Sequence, residues 1–330
     1  MTINWPSMAE RNHRPLITAR RLVRLASAVL FAWSALWLLT GDSFLMVRAG
    51  LYLAPLTMVA ALVICALAVV CRARRAALTG ASVAALIFMM LPPTVFRAET
   101  VFVPRPDQFK ITTLSNRTLN ADMTGTAAML RQHPADIFVL QEIADPLQLV
   151  DELQGLYGAD HTVQSCHHGN FVIVTRFPIG EPHAHSNNAA MLCRVGMPEG
   201  PVWVAAVHLP KGLWTRDEQL GAALGILQDA ADLDGGILLA GDFNATVLTT
   251  PLRRIADSYS NAFDEHGSGP GFTFPTTARR LGKLGPFLRI DHIFYSDDFL
   301  SLHAQVESWH PPLADHFPVS ATLVSRRPAL

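Results

Sequence analysis

Charge is what this chain has little of. Charged residues make up 16% of its 330 positions, and three stretches, 25–41, 49–71 and 76–96, carry none. With half of the residues hydrophobic and a mean hydropathy of +0.26, the composition excludes a largely disordered chain. Internal repeats and low-complexity tracts are also lacking, which excludes a solenoid. Only four cysteines occur, too few to build a disulfide scaffold. Twelve of the thirteen histidines follow residue 98, in no spacing that makes a zinc site.

The uncharged stretches dominate the first hundred residues. Each reaches or approaches the ~20 apolar residues that cross a bilayer core. The sequence therefore predicts a membrane anchor over residues 1–98, with three transmembrane helices at about 22–41, 49–71 and 76–96. A cleaved signal peptide would account for the first stretch alone. Arg11, Arg14, Arg20, Arg21 and Arg24 precede the first stretch, and Arg72, Arg74 and Arg75 separate the second from the third. The opposite side has only Arg48 and Arg97. The excess of arginine puts the N-terminus in the cytoplasm. Three crossings then place everything after about residue 98 outside it, in the inner or plasma membrane of the cell. Pro104 and Pro106 punctuate a linker over 99–107, and a single domain of 108–330 follows.

Formal charge divides along the same line. Residues 1–98 hold ten basic and two acidic residues, net +8; residues 99–330 hold sixteen and twenty-five, net −9. An acidic outer domain is a poor general trap for polyanions. Cys65 and Cys71 fall in the second apolar stretch. Cys166 and Cys193 are the only cysteines of the outer domain, and an oxidising compartment favours a bridge between them. Two buried free thiols are the alternative.

In the outer domain, polar residues recur at the ends of apolar runs. Asn116 follows Ile111-Thr112-Thr113-Leu114, Glu142 follows Ile137-Phe138-Val139-Leu140-Gln141, and His208 ends Val202–Val207. Asp242 and Asn244 follow Ile237-Leu238-Leu239-Ala240, and Asp291-His292 and Asp315-His316 come last. Strands are expected at 109–115, 136–141, 160–165, 170–175, 202–208, 236–241, 290–295, 304–308 and 318–324. Helices are expected at 122–132, 146–155 and 215–232. So many strand-end polar groups predict one site on the rim of a sheet.

The strings LSNRTLN (114–120), ADIFVLQEI (135–143), GNFVIVTRFPI (169–179), AAVHLP (205–210), LLAGDFNAT (238–246), RIDHIF (289–294) and LADHFPV (313–319), in this order, resemble the endonuclease/exonuclease/phosphatase family. Deoxyribonuclease I and the inositol polyphosphate and sphingomyelin phosphodiesterases are its best-known members. The resemblance covers roughly residues 108–325. It implies an α+β fold: a deoxyribonuclease I-like sandwich of two mixed β-sheets flanked by helices, here preceded by the anchor.

The resemblance also implies the chemistry. A phosphodiester is an anion attacked by a nucleophile, so a divalent metal that neutralises charge and positions water suits it. Mg²⁺ takes oxygen ligands, with Mn²⁺ as an alternative. Glu142 is the expected metal ligand, with Asn116 and Asp315 on the metal side. Asp242 would orient or deprotonate the attacking water and Asn244 would contact the phosphate. His316, kept protonated by Asp291, would hydrogen-bond the phosphoryl oxygen, and His208 would act on the leaving group. His292 stays outside this set. The usual serine before the last Asp-His is Ala314 here, which predicts a looser loop at Asp315.

Substrate choice is less legible. Arg279 and Arg280 in the Gly-rich stretch 267–285 are either solvated surface charges or an anion clamp. Trp214, with Leu209-Pro210 and Gly212-Leu213, suggests a membrane-facing lip. Three functions fit the sequence: a metal-dependent phosphoester hydrolase (phosphodiesterase) acting outside the cytoplasm on a phospholipid headgroup or small phosphoester; a membrane-tethered nuclease; and a non-catalytic binding or sensor module. The bilayer and the phosphoester are the expected partners; no protein partner is identifiable. The intact Glu142, Asp242, Asn244, Asp291 and His316 argue against the third.

Overall fold

A computed structural model describes residues 8–98, 102–158, 162–184 and 188–327. Residues 99–101 of the expected linker and the first two residues of the strand expected at 160–165 lie outside this range. The chain divides into two compact units, Met1–Leu91 and Pro92–Leu330.

The first unit is helical: α1 (Met8–Thr40), α2 (Leu45–Tyr52), α3 (Ala54–Val70) and α4 (Arg74–Met90). The expectation of three spans needs correction. Among the described residues only Ile17–Thr40 is by itself long and apolar enough to cross a membrane. The 49–71 stretch is not one helix. It breaks at Leu53, where Pro55 starts a new helix and cannot donate to the previous one. The α2 and α3 axes meet at 92°, so the two count as one bent span at most. The third stretch gives only the 17-residue α4, whose first turn already contains Arg74 and Arg75. Leu22, Leu25, Val29, Phe31, Leu38 and Leu39 of α1 are exposed.

Among the described residues the second unit contains twelve strands: β1 (Gln108–Ser115), β2 (Ile137–Gln141), β3 (Gln164–His168), β4 (Phe171–Thr175), β5 (His183–Ala184), β6 (Ala190–Met197), β7 (Gly200–His208), β8 (Gly236–Asp242), β9 (Ser260–Asn261), β10 (Asp291–Tyr295), β11 (Phe299–Val306) and β12 (Val319–Ser325). Its helices are α5 (Met123–Gln132), α6 (Pro146–Glu152), α7 (Arg216–Ala231), α8 (Thr250–Ala256) and α9 (Ala262–His266). Two six-stranded mixed sheets form, in the orders β11-β12-β1-β2-β4-β3 and β5-β6-β7-β8-β10-β9.

Alternation along the strands sorts side chains into three buried layers. Ile111, Ile137, Val139 and Ile173 of the first sheet meet Val204, Ala206, Leu238, Ala240 and Ile293 of the second. On the outer face of the first sheet, Leu114, Phe138, Leu140 and Val172 pack under Met123, Ala127 and Leu130 of α5 and Leu149 of α6. On the outer face of the second, Ala205, Val207, Leu239 and Phe294 pack under Ala222, Ala223 and Ile226 of α7 and Leu252 of α8. The result is a helix–sheet–sheet–helix sandwich. Cys166 of β3 and Cys193 of β6 are joined by a disulfide, which staples the two sheets through the central layer.

Strand ends set the site. The parallel pair β7/β8 is in register at His208 with Asp242, and the antiparallel pair β8/β10 is in register at Asp242 with Asp291. Three of the expected site residues thus lie in a row across the second sheet. Gly241 makes the crossing possible. Its φ of +154° is open to glycine, and a Cβ there would stand 1.9 Å from the Val207 carbonyl oxygen. In the first sheet, β1 and β2 run parallel with Ser115 beside Gln141. Asn116 and Glu142 therefore leave at the same end.

Candidate active site

Asp242 stands at the centre. Its Oδ2 lies 3.6 Å from His316 Nε2 and 3.8 Å from His208 Nε2. His316 Nδ1 is 2.8 Å from Asp291 Oδ2, a hydrogen bond in which the protonated ring donates to the carboxylate. His208 Nε2 is 3.3 Å from Glu142 Oε1. Glu142 has a φ of +55°. Its Oε2 accepts from the Thr118 backbone N–H at 2.9 Å and the Thr118 hydroxyl at 3.1 Å, and its Oε1 faces Lys211 Nζ at 2.5 Å. Five of the sequence-predicted residues, Glu142, His208, Asp242, Asp291 and His316, thus share one cluster.

Burial and charge set the titration of this cluster. Burial alone would lift the Glu142 carboxyl, but Lys211, the Thr118 N–H and His208 hold it down, at about 2. Burial pushes His208 down to about 4 against the pull of Glu142, so the ring is neutral at ordinary pH. Burial raises Asp242 to about 7, and His316 offsets only part of that rise. Burial would lower His316, but Asp291 and Asp242 outweigh it and carry the imidazolium up to about 9. At neutral pH the cluster therefore combines a cationic His316, a carboxylate able to take a proton and a neutral His208.

The other expected residues are placed differently. Asn116 is fully buried, and its Oδ1 accepts from Asn120 Nδ2 and the Thr126 hydroxyl. Its buried Nδ2 has no protein acceptor. The available end of Asn116 is thus a donor, which suits an anion or a water near the metal. Asn120 is a brace, tied also to the Pro312 carbonyl. Asn244 is built into its loop: with φ +46°, its backbone N–H donates to Asp242 Oδ1 at 2.8 Å and its Nδ2 to the Leu209 carbonyl at 2.9 Å.

Asp315 lies outside the groups of close acidic and histidine atoms found among the described residues. Its Oδ2 is taken by the Arg279 guanidinium at 2.5 Å. Arg280 is exposed. The loop is not loosened by Ala314, because the Thr276 hydroxyl donates to the Ala314 carbonyl at 2.7 Å. His292 is buried against Phe243 and Phe294 and held by Asn261 and the Ala245 carbonyl, a packing residue. Of the suggested lip, Trp214 is exposed and Leu209 is buried.

Sequence reasoning missed Lys211, Thr118 and Gln219. Gln219 of α7 is buried and donates to the carbonyls of Pro210 and Asn244, tying the loop after His208 to the loop after Asp242. It also missed a cleft of 300 Å³ between Glu142 and His208, lined by His168, Asn170, Phe171 and Asn188. Lys211 and Gln219 were legible only as a Lys and a Gln close behind the Leu-Pro that follows His208.

Among the described residues two groups of side chains could hold a cation: Glu142, His208 and Asp242, and Asp242, Asp291 and His316. The first fits a divalent metal better. Its carboxylates supply hard oxygen and buried His208 Nε2 has no hydrogen bond, while the Lys211 ammonium competes for Glu142. In the second, His316 is cationic and spent on Asp291.

Residues 113–316, more than half of the chain, match the model of the Endonuclease/Exonuclease/phosphatase family. No curated protein matches. Among solved structures, the endonuclease/exonuclease/phosphatase from Bacteroides vulgatus is 16% identical, with TM-score 0.55, covering 66% of this chain and 99% of that one. Truncated Caenorhabditis elegans TDP2 is 18% identical, with TM-score 0.53 and coverages of 66% and 98%. A humanized D. rerio TDP2 is 16% identical, with TM-score 0.54 and coverages of 66% and 100%. At such identities the likeness is one of fold. The matched residues run from β1 to His316 and include every member of the cluster, and the chain belongs to the endonuclease/exonuclease/phosphatase family, whose members generally hydrolyse phosphoester bonds and typically depend on a divalent metal.

Proposed function

We propose that this protein is a metal-dependent phosphodiesterase that works outside the cytoplasm on a phospholipid headgroup or a small phosphoester. The observation that carries the reading is the register-fixed row of His208, Asp242 and Asp291, with His316 bonded to one end and Glu142 facing the other. When bound at Glu142 and Asp242, Mg²⁺ or Mn²⁺ supplies charge neutralisation for the phosphoryl oxygens. Asp242, oriented by the Asn244 N–H, takes the proton of the attacking water. His316, kept cationic by Asp291, donates Nε2–H to the oxygen on which charge develops. Neutral His208 gives the leaving oxygen a hydrogen bond, and the buried Asn116 amide donates to a phosphate oxygen or to the water. Asn244 holds the Asp242 loop at the phosphate, and Arg279, positioned by Asp315, grips the substrate anion with Arg280.

The disulfide between Cys166 and Cys193 supports an oxidising compartment. The apolar Ile17–Thr40 helix, with arginines at its start and exposed leucines along its length, supports a membrane anchor. The net charge of −9 over residues 99–330 disfavours a nuclease.

The test is hydrolysis of bis-p-nitrophenyl phosphate by the purified chain with Mg²⁺, Mn²⁺ or EDTA, beside Asp242→Ala and His316→Ala. Metal-dependent turnover lost in both variants is expected. Turnover that survives EDTA or either substitution refutes the assignment. Plasmid cleavage that falls steeply with salt, without turnover of phospholipid, would transfer the substrate reading to nucleic acid.

A further inference from the structure

The helical unit carries a second concentration of charge, unconnected with the catalytic chemistry. Arg20 and Arg24 of α1 and Arg72, Arg74 and Arg75 around the start of α4 line one cavity of 790 Å³, and among the described residues no acidic one lines it. Arginine excess at one end of a membrane helix requires only that the charges be on the same side; it does not require that they converge on a common space. Here they converge. Arg20 Nη2 donates to the Arg72 carbonyl at 2.5 Å, while buried Arg20 Nε has no acceptor. Arg72 holds a φ of +52° to make the turn that brings Arg74 and Arg75 to the cavity.

The backbone adds to the same field. α4 has Ala73 as its N-cap, with no side-chain cap and no acidic residue in its first turn, so its first N–H groups and the positive end of its dipole share the cavity with the guanidiniums. Guanidiniums lining one cavity favour an anion among them. Guanidinium forks match phosphate oxygens two at a time. Exposed Phe31 on the same wall offers an apolar contact beyond the charged floor.

We propose that this cavity is a binding site for a phosphate-bearing anion, supplied by the headgroup of an anionic lipid or by free phosphate. The test uses the full chain in neutral detergent, titrated with phosphatidylglycerol, with phosphatidylcholine as control and inorganic phosphate as competitor, and read by native mass spectrometry. Saturable binding of one phosphatidylglycerol per chain is expected, with roughly tenfold or greater loss in Arg74→Gln/Arg75→Gln and a smaller loss in Arg74→Lys/Arg75→Lys, which keeps the charge but not the fork. The lysine pair also keeps the arginine-side charge balance, so a change there reports the site and not a change of orientation; helical circular dichroism confirms folding of both variants. Displacement by inorganic phosphate assigns the site to the phosphate group itself, and binding without displacement assigns it to the intact lipid. Equal binding of phosphatidylcholine, unchanged affinity in the glutamine pair, or no saturable binding of either probe overturns the proposal.

Discussion

Replacing Asp291 with Asn separates the two roles that Asp242 and His316 divide between them. Asn keeps the size and one acceptor oxygen for His316 Nδ1 but removes the charge 2.8 Å away. Burial opposes the cation on His316, and Asp291 leads the effects that carry it from 6.5 up to about 9. That distance corresponds to about 3 kcal/mol in favour of the imidazolium. Without Asp291 the histidine titrates lower, because only Asp242 and the weaker pull of Asp315 remain to oppose burial. The assay is kcat/KM on bis-p-nitrophenyl phosphate from pH 6 to 10 with saturating metal. In the parent the alkaline limb reports loss of the His316 proton, near 9. In Asp291→Asn that limb moves down by one to two pH units. The variant then loses activity about three- to twenty-five-fold at pH 8.5 and hardly any at pH 6.5. Two sites this close titrate as a pair, so the limbs belong to the pair. The sign also extends to stability. A histidine whose pKa is raised by folding stabilises the folded state fully below about 6.5, and this contribution disappears as pH rises through about 9. The melting temperature of the parent should therefore exceed that of Asp291→Asn most at pH 6 and least at pH 9.5. An alkaline limb that stays near 9 in the folded variant would refute the reasoning, because some group other than Asp291 would then hold the proton.

Two further outcomes are expected. Cys166→Ala/Cys193→Ala opens a cross-link between residues separated by 27 in sequence and joining opposite sheets. Denaturant unfolding should show a loss of about 3.5 kcal/mol with the fold retained, and reductant should lower the parent to the same level. Lys211→Ala removes the ammonium that competes for Glu142. Its side chain is 63% exposed, so the pair contributes at most about 1 kcal/mol, and the Mg²⁺ concentration for half-maximal activity should fall by up to about fivefold. A rise in that concentration would make Lys211 a substrate group instead of a competitor.

The strands that lead into the candidate site were legible because they are buried on both faces. Ile137–Leu140 and Ile237–Ala240 read as continuous apolar runs, and each ends on its functional carboxylate. β6 was missed for the opposite reason. Its Ala190-Met191-Leu192-Cys193 has no β-branched residue, and pairing with β7 on one side and β5 on the other makes it a strand. The short β5 and β9, and the helices α8 and α9, are likewise too brief for a period to show. In the helical unit, hydropathy could be read but not helix continuity: the break at Leu53 depends on one proline, and α4 starts among its own arginines.

What sequence could not supply at the site was which end of each polar group is available. Asn116 was identifiable as a site residue, but whether it offers oxygen or nitrogen depends on Asn120 and Thr126, four and ten residues away, which occupy its oxygen. Asp315 read as a second acidic ligand until Arg279, 36 residues earlier, claimed its carboxylate. Both placements point in one direction. The groups that remain open towards the cluster are donors and a cationic histidine on the His316 side and carboxylate oxygen on the Glu142 side. Such a division suits a substrate with an anionic centre, with the cation entering from one side and hydrogen-bond donors from the other, and it gives the chemistry a direction that a list of polar residues does not contain.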